Sequence, residues 1–153
     1  MRLLLPVDHL PAVKRALLKA GDREIGGQIF GEQLAVSEFR VTEITIQRRG
    51  GTFSRFLVDL GQAGRQAAAF FRRTRHQYHQ FNYIGEWHSH PNFAVMPSGT
   101  DNATMQALTT DRDFRGNFAV LMILRHDADA LRLGAWVFNR YGQRTDVTLE
   151  IEQ

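Results

Sequence analysis

A chain of 153 residues with 43% hydrophobic and 23% charged residues has the size and balance of one globular domain, 1–153, able to bury roughly two-thirds of its unfolded surface. It contains no cysteine, which excludes a thiol nucleophile, a cysteine-ligated zinc and a disulfide framework, and suits a cytoplasmic setting. The net charge of +3 comes from 17 Arg and 2 Lys against 16 acids. The arginines are scattered apart from Arg72, Arg73 and Arg75, and no nucleic-acid motif accompanies them, so a nucleic-acid partner is not expected. Leu3-Leu4-Leu5 is cut short by Pro6 and Asp8, too brief for a leader or a membrane span.

In chain order, residues 2–5 read as a short strand. Asp8 can cap a helix over 9–20, with Leu10, Val13, Leu17 and Leu18 apolar and Gly21 to end it. Residues 24–30 read as a strand containing the pair Gly26-Gly27, which permits a bulge or a close backbone approach. Residues 34–47 form a further strand or two, Gly50-Gly51 a turn, and 52–60 another strand. An Ala- and Arg-rich helix is expected over 62–78, burying Ala69, Phe70 and Phe71. Then come a strand over 83–90, a loop over 91–97, a helix over 98–110, strands over 118–124 and 131–138, and a last strand over 145–151. This order predicts an α/β (α+β) fold: a central mixed, largely antiparallel sheet flanked by helices.

Chemistry concentrates in Gly85-Glu86-Trp87-His88-Ser89-His90-Pro91 and, six residues later, Ser98-Gly99-Thr100-Asp101. Side chains on a strand alternate faces, so His88 and His90 share one face with Glu86, and Trp87 and Ser89 take the other. Pro91 ends the strand. Two imidazoles at that spacing can reach one metal, and Asp101 can return as a third ligand. Such a set leaves a coordination position open, the arrangement of a catalytic zinc. Each part also has a plain structural use: the histidines as half-buried polar residues, and Ser98 with Asp101 as a helix start.

Taken together, His88-Ser89-His90-Pro91 and Ser98-x-x-Asp101 resemble the signature of the JAB1/MPN/Mov34 metalloproteases, the JAMM family, over about residues 5 to 125. Glu24, followed by Ile25-Gly26-Gly27, resembles that family's catalytic glutamate. The resemblance implies an MPN/JAB fold of cytidine-deaminase-like outline and one Zn2+ per chain on His88, His90 and Asp101. Glu24 would take a proton from the attacking water and pass it to the leaving amine. Ser98 would donate to the oxyanion, serve only as a helix cap, or do both. Glu86 stays open as an alternative base or as a partner of a ligand histidine, and Phe93, Val95 and Met96 as a substrate groove or as loop packing.

The family cleaves peptide and isopeptide bonds, so the resemblance implies a zinc (iso)peptidase acting after the C-terminus of a ubiquitin-like protein. The tail would add as a strand to a sheet edge. The wording Gly-Glu-Trp-His-Ser-His-Pro looks most like stand-alone prokaryotic JAB proteins, including those of CBASS anti-phage operons with E1/E2-like conjugation enzymes. Processing of a sulfur-carrier protein in biosynthesis is the alternative context, and a non-catalytic MPN scaffold is a further reading. A zinc deaminase is excluded because its Pro-Cys-x-x-Cys element needs cysteine.

Overall fold

A computed structural model describes residues 1–47, 60–128 and 130–153. The expected turn at Gly50-Gly51 and the strand expected over 52–60 lie outside them, save Leu60, which opens a helix. The elements are β1 (Arg2–Pro6), α1 (Leu10–Ala20), β2 (Gly26–Ala35), β3 (Glu38–Ile44), α2 (Leu60–Arg73), β4 (Phe81–Ser89), α3 (Gly99–Thr110), β5 (Phe118–Asp127), β6 (Ala130–Asn139), β7 (Arg144–Asp146) and β8 (Thr148–Glu152). A one-turn 3-10 helix, Val7–His9, joins β1 to α1. None of these helices is long and apolar enough to cross a membrane.

The eight strands form one sheet in the order β7-β6-β5-β4-β2-β3-β1-β8. β2 runs antiparallel to β3 and β4, and β6 antiparallel to β5 and β7, whereas β4–β5, β1–β3 and β1–β8 are parallel. Where one strand was expected over 145–151, Val147 breaks it. Its N–H extends the ladder of β7 on β6 to Ala135 O (3.1 Å), while the next N–H, that of Thr148, turns to Met1 O (3.0 Å). The C-terminal segment therefore pairs with β6 on one side and β1 on the other, and the two ends of the sheet meet.

Helix α1 covers one face. Val13, Ala16 and Leu17, at helical spacing, are buried against Trp87, Val120, Met122 and Leu124. Leu18 faces solvent at 59% exposure, and Ala16 takes the buried place expected of it. Asp8 does not cap this helix: it lies inside the 3-10 turn, and the capping position, His9, makes no side-chain cap bond. Gly21 ends the helix at φ 59, as expected.

The opposite face carries α2 and α3. Phe70 of α2 stacks on Phe30 of β2 at 4.4 Å, and Met105 of α3 is buried against Leu121, Ile123 and Phe138. α2 ends at Arg73, earlier than the expected Tyr78, because Arg75 and His76 adopt left-handed backbone angles that no helix continues through.

β4 lies near the centre, between β2 and β5. α3 is the crossover between the parallel neighbours β4 and β5. Side chains at the end of β4 and at the start of α3 are thus brought to the same edge of the sheet, where open α/β sheets place their ligands. Gly85, at φ +155, allows a bulge in β4: Ile29 pairs with Gly85 but Phe30 pairs with Tyr83. The bulge reverses the alternation, so Tyr83 shares the face of Glu86 and His88. A Cβ at Gly85 would stand 1.9 Å from Val120 O. Gly85→Ala is therefore expected to cost about 2–4 kcal/mol, from strain and overpacking combined. The readout is the urea midpoint at unchanged m-value; a loss under about 0.5 kcal/mol, the level of an ordinary surface change, would show that the bulge has no such requirement.

Candidate metal centre

Strand β4 delivers the histidines. Trp87 points into the core, fully buried, with its indole N–H on Thr45 O (2.8 Å), so His88 and His90 must face the other way, as alternation predicts. Both are buried, at 8% and 5% exposure. His90 N–H bonds Leu124 O at 2.9 Å, which carries the backbone one residue past the end of the strand. The loop after Pro91 folds back so that Ala94 O lies 2.8 Å from His90 Nδ1. A carbonyl only accepts, so Nδ1 carries a proton, and Nε2 is the ring atom left to face Asp101 or a metal.

Helix α3 delivers the carboxylate. Ser98 is its N-cap, and a capping box closes it: Asp101 N–H donates to Ser98 Oγ (3.1 Å), and Ser98 N–H donates to an Asp101 carboxylate oxygen (2.7 Å). Held that way, Asp101 turns its two oxygens toward the histidines, Oδ1 at 3.3 Å from His88 Nε2 and Oδ2 at 3.4 Å from His90 Nε2. The two Nε2 atoms are 3.0 Å apart. Burial alone would raise the Asp101 pKa; the bonds to His88 and His90 outweigh it and hold the carboxylate well below the usual range. Burial alone would lower that of His90, but Asp101 and the Ala94 carbonyl raise it instead.

These spacings test whether a metal fits. Ligands bonded at 2.0–2.1 Å in a tetrahedron stand about 3.3 Å from one another. The two Nε2 atoms stand 3.0 Å apart, and each faces a different Asp101 oxygen at 3.3 and 3.4 Å, so each neighbouring pair of donors comes close to that edge length. Two imidazole nitrogens and a carboxylate suit zinc, and three protein ligands leave one position open. His88, His90 and Asp101 form a group that could hold a metal ion; His76 and His79 join no such group among the described residues, and His76 Nδ1 lies 2.7 Å from Tyr78 OH.

Glu24 is brought to this group from a distant part of the chain. Gly26 pairs with His88, Ile25 O accepts from Ser89 N–H (2.8 Å), and Ile25 N–H donates to Ser89 Oγ (3.0 Å). Extending that antiparallel register sets Glu24 opposite His90, whose pKa its charge helps to raise. Glu24 is only 5% exposed. Gly27 makes the close approach possible: a Cβ there would lie 2.1 Å from Thr45 O. The Ser89 hydroxyl was not singled out in the sequence, because its use depends on a partner 64 residues away. Ser89→Ala leaves the buried Ile25 N–H unbonded. It is expected to cost about 1–3 kcal/mol in thermal unfolding and to slow any Glu24-dependent step; an unchanged melting temperature would refute the first expectation.

Glu86 shares the histidine face but is engaged elsewhere. Burial raises its pKa, against the opposing effects of a hydrogen bond from Tyr83 and the charge of His88. Tyr83 is itself raised well above its usual value by burial and then by Glu86. Of the loop residues, Val95 packs on the second core cluster, whereas Phe93 and Met96 are 46% and 58% exposed, and the Phe93 ring meets His90 edge-on at 6.2 Å. The strands that carry the site, β2 and β4, each have neighbours on both sides, so the expected addition of a substrate tail to an open edge finds no free partner in these two.

Comparison with known proteins places this geometry. Residues 6–138 match the family described as prokaryotic homologs of the JAB domain. A curated relative from Enterobacter hormaechei subsp. hoffmannii, named a CD-NTase/cGAS isopeptidase, is 30% identical over 111 residues, covering 72% of this chain and 59% of that protein. The chain thus spans less than two-thirds of that relative's length. The solution structure of a protein from Desulfitobacterium hafniense shares the fold, with a TM-score of 0.69 at 15% identity over 98% of this chain and 94% of that one.

Proposed function

Because the chain belongs to the prokaryotic homologs of the JAB domain, we propose that it is a JAMM-type zinc isopeptidase that releases a ubiquitin-like protein from its conjugates in bacterial anti-phage defence. The observation that carries this reading is the convergence of His88, His90 and Asp101, whose ligand atoms all lie within 4.8 Å of one another. The name of the Enterobacter relative supports the isopeptide bond as the one cleaved.

When bound there, zinc supplies Lewis-acid chemistry, polarising a carbonyl and acidifying water. Everything else falls to the chain. Glu24 accepts the proton of the attacking water and returns it to the lysine nitrogen as the C–N bond breaks, leaving a free carboxylate and a free amine. Ser98 Oγ accepts from Asp101 N–H as a cap, and a hydroxyl keeps one proton to donate, so capping and oxyanion stabilisation do not compete. Such a donor contributes about 2.7–4 kcal/mol to the transition state. Glu86 supports the site from beside His88 and takes no proton from water. The exposed ring of Phe93 and thioether of Met96 offer an apolar lip for the substrate tail.

The test is an isopeptide-linked conjugate of a ubiquitin-like protein, incubated with the purified chain and followed by intact mass. The expected products are the ubiquitin-like protein with a free C-terminus and a target with a free lysine. A chelator should stop the reaction and a thiol alkylator should not. Cleavage that survives chelation refutes the zinc reading. Cleavage of a linear C-terminal extension alone would make this a processing peptidase instead.

A further inference from the structure

Arg125 stands at the far end of β5, on the same face as His88 and His90, next to the Leu124 carbonyl that holds His90 N–H. Its guanidinium is stretched between two acceptors. Nε and Nη2 grip the carboxylate of Asp127 at 2.6 and 3.0 Å, and Nη1 donates to Phe93 O at 2.9 Å. Asp127 is pinned in turn by Arg132 from β6 (2.5 Å). Phe93 immediately precedes Ala94, the residue whose carbonyl takes the proton of His90 Nδ1. Within the loop, Ala94 O also accepts from Met96 N–H (2.9 Å), and Val95 packs on the cluster that holds Met105 and Ile123. On the side preceding Ala94, Phe93 is exposed and Asn92 reaches Asp22 at 3.3 Å, so there Arg125 supplies the tie from β5 to the loop backbone.

We propose that Arg125 is a positioning residue for His90: by holding Phe93 O it keeps Ala94 O where it accepts from Nδ1, and so presents the Nε2 lone pair to the metal. The inference rests on His88, His90 and Asp101 being a metal site. The physical reason is tautomeric. A neutral imidazole carries its proton on either nitrogen, and the partner of one nitrogen decides what the other can do. If Ala94 O drifts, the ring can turn and place its proton on Nε2, the nitrogen the metal needs. The planar fork holds the carboxylate with two donors and the carbonyl with a third in fixed geometry, whereas a lysine offers three donors on a flexible stem and is a poorer substitute.

The experiment titrates zinc into the metal-free full chain against a competing chelator, beside proton–nitrogen NMR of the histidine rings. Arg125→Met is expected to weaken zinc by about 10–100-fold, the usual effect of losing an outer partner. In the same variant the His90 signals should move from a single protonated Nδ1 to a mixture of tautomers, and kcat should largely recover at saturating zinc. Arg125→Lys should fall between. Unchanged affinity, or weakened affinity with an unchanged His90 tautomer, overturns the role. If Arg125→Met does not fold, Asp127→Asn, which loosens the fork while keeping the arginine, should shift both readouts in the same direction, and no shift there also overturns it. A wild-type chain that takes up no zinc overturns the metal reading itself; wild-type binding with unaltered variants overturns the Arg125 role alone.

Discussion

Glu24→Gln is expected to lower the single-turnover cleavage rate by about 10²–10⁴-fold, the usual share of a positioned general base, while leaving one zinc per chain. The substitution is nearly isosteric: it keeps the size of the side chain and some of its hydrogen bonding but removes the ability to take a proton. Little else should change, because Glu24 is buried and its backbone is set by the paired bonds between Ile25 and Ser89. The matched control is Glu86→Gln. Glu86 lies on the same face but is tied to Tyr83, so its loss should cost far less than that of Glu24. Metal content of the purified variants, measured beside the rate, separates the two roles. A Glu24→Gln chain that cleaves at the wild-type rate, or a Glu86→Gln chain that is the inactive one, would reverse the assignment.

Asp101→Ala should do more damage, because one carboxylate serves two structures. Its loss removes the anion facing both histidines and leaves their Nε2 atoms 3.0 Å apart with nothing between. Zinc affinity should then fall by more than the roughly 10–100-fold of an outer partner, and cleavage with it. Its loss also opens the capping box at the start of α3, worth about 1 kcal/mol of stability. Asp101→Asn separates these effects: the amide oxygen can still accept from Ser98 N–H, but the charge is gone. The expected pattern is lost zinc in both variants and a lowered melting temperature of the metal-free chain in Asp101→Ala alone. Zinc retained at one per chain in both would mean that Asp101 is a helix cap and not a ligand.

Much of the fold was readable in the sequence because strand and helix periodicities are local. α1, α3, β4, β5 and β6 fall where apolar spacing and breakers put them. The errors are also local rules overruled by neighbours. The strand expected over 118–124 runs on through Asp127, because Arg125 and Arg132 pair across the hairpin and both grip Asp127. The single last strand became β7 and β8 because Val147 N–H still bonds β6 while Thr148 N–H bonds Met1 O beside β1.

For the site, the sequence by itself determined which residue types stand at which spacing. His88 and His90 share a face because a strand alternates, and Ser98 and Asp101 cap a helix because their backbone groups are three residues apart. Neither fact says that the carboxylate meets the imidazoles. That was decided by the crossover from β4 to β5, which sets the start of α3 over the end of β4. The register of β2 against β4 decided that Glu24 stands opposite His90, and the bulge at Gly85 turned Tyr83 to Glu86. The grip of Arg125 on Phe93 O likewise comes from the folded loop. Each of these contacts joins residues from separate elements, and their positions follow from strand register and helix placement, which the whole sheet sets cooperatively and no local pattern encodes.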